Sequence, residues 1–205
     1  MYKLPHFTEE DHAYVLEFMK QYPFAVITGK GDEFPVATQV PLDVTEEDGK
    51  LLFTGHIMKN TDHHKAFENN NHVLVVFNGP QCHVSASWYA NPNVASTWNF
   101  MTVHAMGKIL FEEEEGTRRI IKEITDKYEL PGSEAAFDKL PIEYVDRLVK
   151  AIIGFKIEVE TVGNVFKLSQ NHDTNTRLSI IEHLKERGDD NSRTIATEMA
   201  KRIKA

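Results

Sequence analysis

The run from His72 to Phe77, HVLVVF, is continuously apolar behind its histidine and stops at Asn78-Gly79-Pro80. A short run of β-branched and aromatic residues bounded in this way reads as a strand buried on both faces, followed by a turn. The chain must therefore build a sheet with cover on two sides. Around this run a period of two recurs. Val36, Thr38, Val40 and Leu42 alternate with Ala37, Gln39, Pro41 and Asp43, and Phe155, Ile157 and Val159 alternate with Lys156, Glu158 and Glu160. Alternation of that kind marks half-buried strands, and Pro41 predicts an edge or a strand end.

The remaining strands are shorter signals. Phe24 to Thr28 (FAVIT), a turn at Gly29-Lys30-Gly31-Asp32 and Glu33 to Leu42 predict a hairpin. After an acidic turn at Glu46-Glu47-Asp48-Gly49 come strands over Lys50 to Gly55, Cys82 to Trp88 and Thr102 to Glu112, and an extended segment from Val165 to Asn171. Helical spacing appears in five places. Thr8 to Gln21 carries Val15, Leu16 and Met19, Asn60 to Glu68 is predicted to start on an Asn60 cap, and Glu113 to Tyr128 puts Ile120, Ile121, Ile124 and Tyr128 on one face. Pro141 to Ile152 is a further helix, and the tail pairs a helix through Leu178, Ile181 and Leu184, capped by Gly188, with a second from about Ser192.

Composition removes several classes of function. A chain of 205 residues can bury a substantial core, and 41% apolar with 26% charged residues is ordinary for a globular protein. The formal net charge of -8 gives no general attraction to phosphate polymers, and the paired tail helices lack a basic face, which argues against direct DNA reading. One cysteine, Cys82, cannot form an internal disulfide, and no apolar run reaches membrane-spanning length, so the expected compartment is the cytoplasm.

Chemistry concentrates in Cys82 to Gly107, CHVSASWYANPNVASTWNFMTVHAMG, which holds both tryptophans with Tyr89, Phe100, Asn91, Asn93 and Asn99. Rings to stack on and amides for a polar rim suit a flat aromatic ligand. His56, Lys59 and Asn60 gather where a strand gives way to a helix, a place that suits a phosphate, although a solvated polar loop explains them as well. Lys167, Ser169 and Asn171 line one side of an extended segment and can meet an anionic or heteroaromatic ligand, or simply lead into the last helices. His56, His63, His64 and His72 lie close in sequence without metal-site spacing, so no metal is expected. Ser85 and Ser87 near His83 lack a nucleophile elbow and a third acid.

Taken together, GHIMKN at 55–60, FNGPQCHVSASWY at 77–89, STWNF at 96–100, VHAMG at 103–107 and FKLSQN at 166–171 resemble the PaiB-type family of FMN-binding negative transcriptional regulators. The resemblance implies an α+β fold, a predominantly antiparallel split β-barrel of the pyridoxamine-phosphate-oxidase-like kind with peripheral helices and a C-terminal helical tail. It would span 1–172 with a helical insertion at about 113–152, followed by a helical extension at 173–205. It also implies a homodimer with flavin mononucleotide at the interface and an indirect effect on transcription. On the matching motifs, His56, Lys59 and Asn60 would lie near the phosphate, Trp88, Tyr89, Trp98 and Asn99 would line the ring or interface, and Lys167, Ser169, Gln170 and Asn171 would complete the pocket. Family members often carry proline where this chain has Ala86 and Ala95-Ser96, tyrosine at His83 and Phe100, and arginine at His172. Two other activities fit such a fold: a flavin-dependent oxidoreductase, with His83 or His104 as proton donor, and a haem-binding or haem-degrading barrel.

Overall fold

A computed structural model describes residues 1, 4–91 and 93–203, so Pro92 of the loop between the two tryptophans lies outside the described residues. Seven strands form one sheet: β1 (Phe24–Gly29), β2 (Val36–Pro41), β3 (Asp43–Glu47), β4 (Lys50–Met58), β5 (His72–Val84), β6 (Thr97–Phe111) and β7 (Ile152–Lys167). Among the described residues six α-helices accompany them: α1 (His12–Gln21), α2 (Asp62–Asn69), α3 (Glu114–Tyr128), α4 (Ile142–Ala151), α5 (Thr174–Arg187) and α6 (Asp190–Lys201). The strand order is β2-β1-β5-β6-β7-β4-β3, and the pairings of β1 with β2 and β5 and of β4 with β3 and β7 are all antiparallel. This is the α+β split barrel of the expected class. β2 forms one edge and ends at Pro41, as that proline predicts.

Several boundaries differ from the sequence reading: the strand expected over Cys82 to Trp88 ends at Val84, the one expected from Thr102 begins at Thr97, and three further differences follow. The acidic segment at 43–47 is strand β3, paired from Asp43↔Thr54 to Glu47↔Lys50, and only Asp48 (φ 51°) and Gly49 (φ 74°) make the turn. Side chains of an edge strand face water, so charge there is tolerated. Asn78-Gly79-Pro80 does not turn: β5 runs straight through it. The pairing of β1 with β5 extends only from Val73 to Val76, so the missing N–H of Pro80 lies beyond that ladder. Gly79 is there for space, since a β-carbon would stand 2.5 Å from Phe18 Cε2. The segments at 154–160 and 165–171 likewise join into one strand, β7.

The chain divides into two compact units, the first comprising 1–18, 78–103 and 163–205, the second 19–77 and 104–162. In the first, Phe18 packs on Phe166 with ring centroids 5.0 Å apart. Asp173 caps α5 by accepting from Thr176 N, Gly188 (φ 74°) ends it, and Asp189 caps α6 by accepting from Ser192 N at 2.9 Å. Ile180, Ile181 and Leu184 of α5 are buried with Ile195, Ala196 and Met199 of α6, while Leu178 is exposed. In the second unit, Ile121, Val145 and Val149 join α3 to α4, with Phe137, Leu140 and Ile152 packed against them. Thr117 Oγ1 accepts the Gly154 amide at 2.9 Å, tying α3 to β7.

A Gly79→Ala substitution is expected to destabilise the protein by about 1–3 kcal/mol, because Phe18 must leave a well-packed position. Urea unfolding measures this, and an unchanged midpoint would contradict it.

Candidate functional site

In the second unit, β4 carries His56 within its length and ends at Met58, so Lys59 and Asn60 form the link to α2. His56 Nδ1 is buried and has no hydrogen-bond partner. Burial pushes the His56 pKa below the ordinary imidazole value, so the ring is a neutral donor or acceptor and not a second cation. Lys59 is held at both ends by α4: its N donates to Ala151 O at 3.0 Å and its Nζ to Val149 O at 3.1 Å. A cation at the carbonyl end of a helix is favourably placed, and two ammonium protons remain for another acceptor.

Asn60 adopts φ 63° and is not the helix cap. Thr61 takes that role, accepting from His64 N at 3.2 Å. A residue in the left-handed region precedes the cap here, which sequence spacing alone does not distinguish from a cap one residue earlier. The amides expected to meet a phosphate are also engaged. Asn60 N donates to His64 Nδ1, and His63 N donates to Asp62 Oδ1 at 2.8 Å. Among the side chains read for this site, the Lys59 ammonium keeps free donor capacity and His56 Nδ1 has no partner.

In the first unit, Trp88 closes a short turn of 3-10 helix that Ser85 caps. Its indole stacks on His183 at 5.1 Å with 15° between planes, and the Arg187 guanidinium lies 4.7 Å from the ring. Both partners come from α5, one turn apart, and Ser179 of the same helix donates to Trp88 O at 2.8 Å. Trp88 is therefore anchored from below by α5. Tyr89 is buried with its ring 4.7 Å from His172, and its hydroxyl is buried without a partner. Trp98 is the opposite case, 54% exposed. It borders an open cleft of about 430 Å³ with Gln81, His83, Arg187, Asp189 and Asn191. Cys82 at the same cleft is buried, and burial pushes its thiol up to about 11, leaving it protonated and unreactive.

Asn99 and Ser169 are both buried and face one another: Ser169 Oγ donates to Asn99 Oδ1 at 3.0 Å, and Asn99 Nδ2 lies 3.4 Å from Met199 Sδ. Ser169 itself holds φ 61°. Gln170 folds back, its Oε1 accepting from Leu168 N at 2.7 Å and its Nε2 donating to Phe166 O, while Asn171 is exposed. Lys167 donates to Thr97 Oγ1 and has no carboxylate partner among the described residues. Burial lowers its pKa from the ordinary lysine value. A half-buried ammonium without a counter-charge is the feature of this unit that calls most directly for an anion.

Sequence reasoning weighed His64 only as a metal ligand and overlooked Thr97, His183 and Arg187. The last two stand four residues apart on one helix, a spacing that shows they share a face but not that an indole lies across it.

A second network fixes α6 behind Asn99. Glu198, 8% exposed, accepts from Tyr14, from Lys201 at 2.7 Å and from Arg202 at 2.8 Å, and Arg202 also pairs with Glu9 at 2.7 Å. Burial by itself raises the Glu198 pKa, but the hydrogen bonds from Lys201, Tyr14 and Arg202 outweigh it and leave the carboxyl below its ordinary value. A depressed carboxyl stabilises the fold above the unfolded-state pKa, and that contribution disappears as pH falls through the folded-state value.

The fold and these surroundings define a split-barrel protein of the flavin-binding class. The family described as "Putative FMN-binding domain" matches residues 1–161, and the chain belongs to that family. Protease synthase and sporulation protein PAI 2 of Bacillus subtilis is 30% identical over 205 residues, covering 100% of this chain and 99% of that protein. An uncharacterised protein of Emericella nidulans, AN0679, is 27% identical over 231 residues, with 91% of each chain covered. Among solved structures, a FAD and haem binding protein from Mycobacterium smegmatis superposes with TM-score 0.59 at 12% identity, over 84% of this chain and 78% of that one. A protein from Bacteroides thetaiotaomicron described as a "putative 5-nitroimidazole antibiotic resistance protein" gives TM-score 0.53 at 18% identity, over 77% of this chain and 84% of that one. At those identities the likeness is one of fold. Flavin mononucleotide is the cofactor that family membership gives this chain. In the first unit, the uncompensated Lys167 ammonium and the unpartnered Tyr89 hydroxyl fit a ligand that is anionic and rimmed with hydrogen-bonding groups. Among the described residues no helix is long and apolar enough to cross a membrane, and no cluster of metal-ligating side chains occurs.

Glu198→Gln is expected to cost roughly 1–3 kcal/mol at neutral pH, less than a fully buried ion pair because Lys201 is half exposed. The difference from wild type should shrink as the medium becomes acidic, and denaturant unfolding at several pH values measures it. A constant difference across the acid range would contradict the assigned charge.

Proposed function

We propose that this protein is a cytoplasmic homodimer that holds flavin mononucleotide through the residues sequence motifs pick out, and that any effect on transcription is indirect. The observation that carries the reading is Lys167. Its ammonium is half buried, faces Thr97 and lacks a carboxylate among the described residues, so a bound anion or an electron-rich ring edge would relieve its desolvation. Trp88, Tyr89 and Trp98 supply aromatic surface in the same unit, and Trp88 is kept in place by His183 and Arg187. Asn99, Ser169 and Gln170 act by shaping the backbone beneath Lys167, since their polar atoms already serve one another or the main chain. Asn171 is exposed and free to approach a ligand edge.

The phosphate end of the cofactor is assigned to Lys59, the neutral His56 and the Asn60 side chain. When bound, flavin supplies redox chemistry that no side chain offers, and the protein's part is to orient the ring and tune charge beside it. The dimer follows from the family resemblance and from the half-exposed Trp98, a residue type favoured at buried interfaces. The cytoplasmic placement follows from the single, buried and protonated Cys82. The net charge of -8 favours action through a partner over groove binding.

Titration of flavin mononucleotide with the purified protein, read by flavin fluorescence, should show saturable quenching at one flavin per chain. Lys167→Met should weaken binding by about tenfold, the value of one charge-assisted hydrogen bond. Absence of quenching in the wild type, or an unchanged affinity in the variant, would overturn the assignment.

A further inference from the structure

We infer that His64 is a positioning residue for the phosphate end of the flavin site, setting the preference for a phosphorylated flavin over an unphosphorylated one without touching the ligand. The inference rests on the placement of the phosphate at His56, Lys59 and Asn60.

Asn60 is one of three non-glycine residues among those described with positive φ, at 63°. That conformation turns the chain sharply between β4 and the Thr61 cap, and so sets where the Lys59 stem and the Asn60 amide point. Asparagine tolerates it better than most residues, yet it remains strained unless something holds the peptide. His64 does so. Its Nδ1 accepts the Asn60 amide at 3.2 Å, and its own amide donates to Thr61 Oγ1 at 3.2 Å. The Thr61 hydroxyl completes the turn by donating to Met58 O at 3.1 Å. The strand end, left-handed residue and cap are thereby joined through one side chain.

The ring is built for this task and no other. His64 is buried, packed edge-on against Phe111 with centroids 4.9 Å apart. Because Nδ1 accepts, the ring proton sits on Nε2, which is buried without a hydrogen-bond partner, its nearest carboxylate oxygen being Glu68 Oε1 at 3.7 Å. A buried imidazole that leaves one nitrogen unpaired in order to accept a main-chain amide with the other is maintained by the turn it supports. Without that acceptor the Asn60 amide loses its partner, and Lys59 loses the fixed link between its anchors on α4 and the helix cap.

Asparagine and glutamine distinguish this role from mere packing. Asparagine carries an oxygen bonded to Cγ, as Nδ1 is in histidine, and can accept the same amide. Glutamine places its acceptor one bond further out, nearer the position of Nε2. The experiment is to measure dissociation constants for flavin mononucleotide and for riboflavin, which lacks the phosphate, with wild type, His64→Asn and His64→Gln. Wild type should prefer flavin mononucleotide. His64→Asn should keep that preference within about twofold, and His64→Gln should reduce it by about tenfold while leaving riboflavin affinity nearly unchanged. Should His64→Gln fail to fold, Asn60→Gly and Asn60→Ala give the same reading: both remove the amide side chain, but only glycine adopts the left-handed conformation freely, so the glycine variant should retain more of the preference. Equal preference in His64→Gln and wild type, or equal loss in His64→Asn and His64→Gln, overturns the inference. A wild type that binds both flavins equally overturns the phosphate placement itself, and this inference with it.

Discussion

Two residues bent into the left-handed region, Asn60 in one compact unit and Ser169 in the other, fix the backbone beside a candidate lysine, and each is held by a single buried side chain. Ser169 is held by the hydroxyl it donates to Asn99, and Asn60 by the amide it donates to His64. Such conformations cost about 1 kcal/mol or more per residue and persist only where the surroundings over-determine them. Both occur where the chain leaves a strand, β7 in one case and β4 in the other, and each directs a lysine two or one residues before it. Lys167 and Lys59 are thus aimed by main-chain geometry, not by salt bridges.

Electrostatics follows from the same arrangement. Each lysine is satisfied in part by a neutral oxygen, Thr97 Oγ1 or Val149 O, and neither meets a carboxylate among the described residues. The acidic excess of the chain is placed elsewhere, on α3, on the edge strand β3 and around Arg202. Against that acidic excess, each of these two ammonium groups, left without a carboxylate, is a local attraction for a small anion.

Much of the fold was legible because it rests on periodicity. The alternation at 36–42 and 155–159 and the continuous run at 72–77 each appear as strands, and the Gly188 stop appears as read; on α3 and α4 Ile120, Ile121, Val145 and Val149 are buried as their spacing predicts, whereas Tyr128 and Ile142 at the outer ends of those faces are exposed. What failed depended on residues far away in sequence. Asn78-Gly79-Pro80 has turn composition, yet the space needed by Phe18 and the end of the β1 ladder let β5 continue. The site was legible in its residue types and less so in their roles. Trp98 is exposed at a cleft and Lys167 lacks a carboxylate among the described residues, whereas Asn99 and Ser169 turn inward to one another and Gln170 folds back on the main chain, which no spacing reveals. Arg187 and His183 remained silent because their importance comes from Trp88, 99 (187 − 88) and 95 (183 − 88) residues away.

The most direct test is a crystal structure grown with flavin mononucleotide. The expected result is phosphate density within hydrogen-bonding distance of Lys59 Nζ and His56 Nδ1, with Asn60 still left-handed and its amide still on His64. Phosphate density elsewhere, for instance against Arg187 in the cleft beside Trp98, would contradict it.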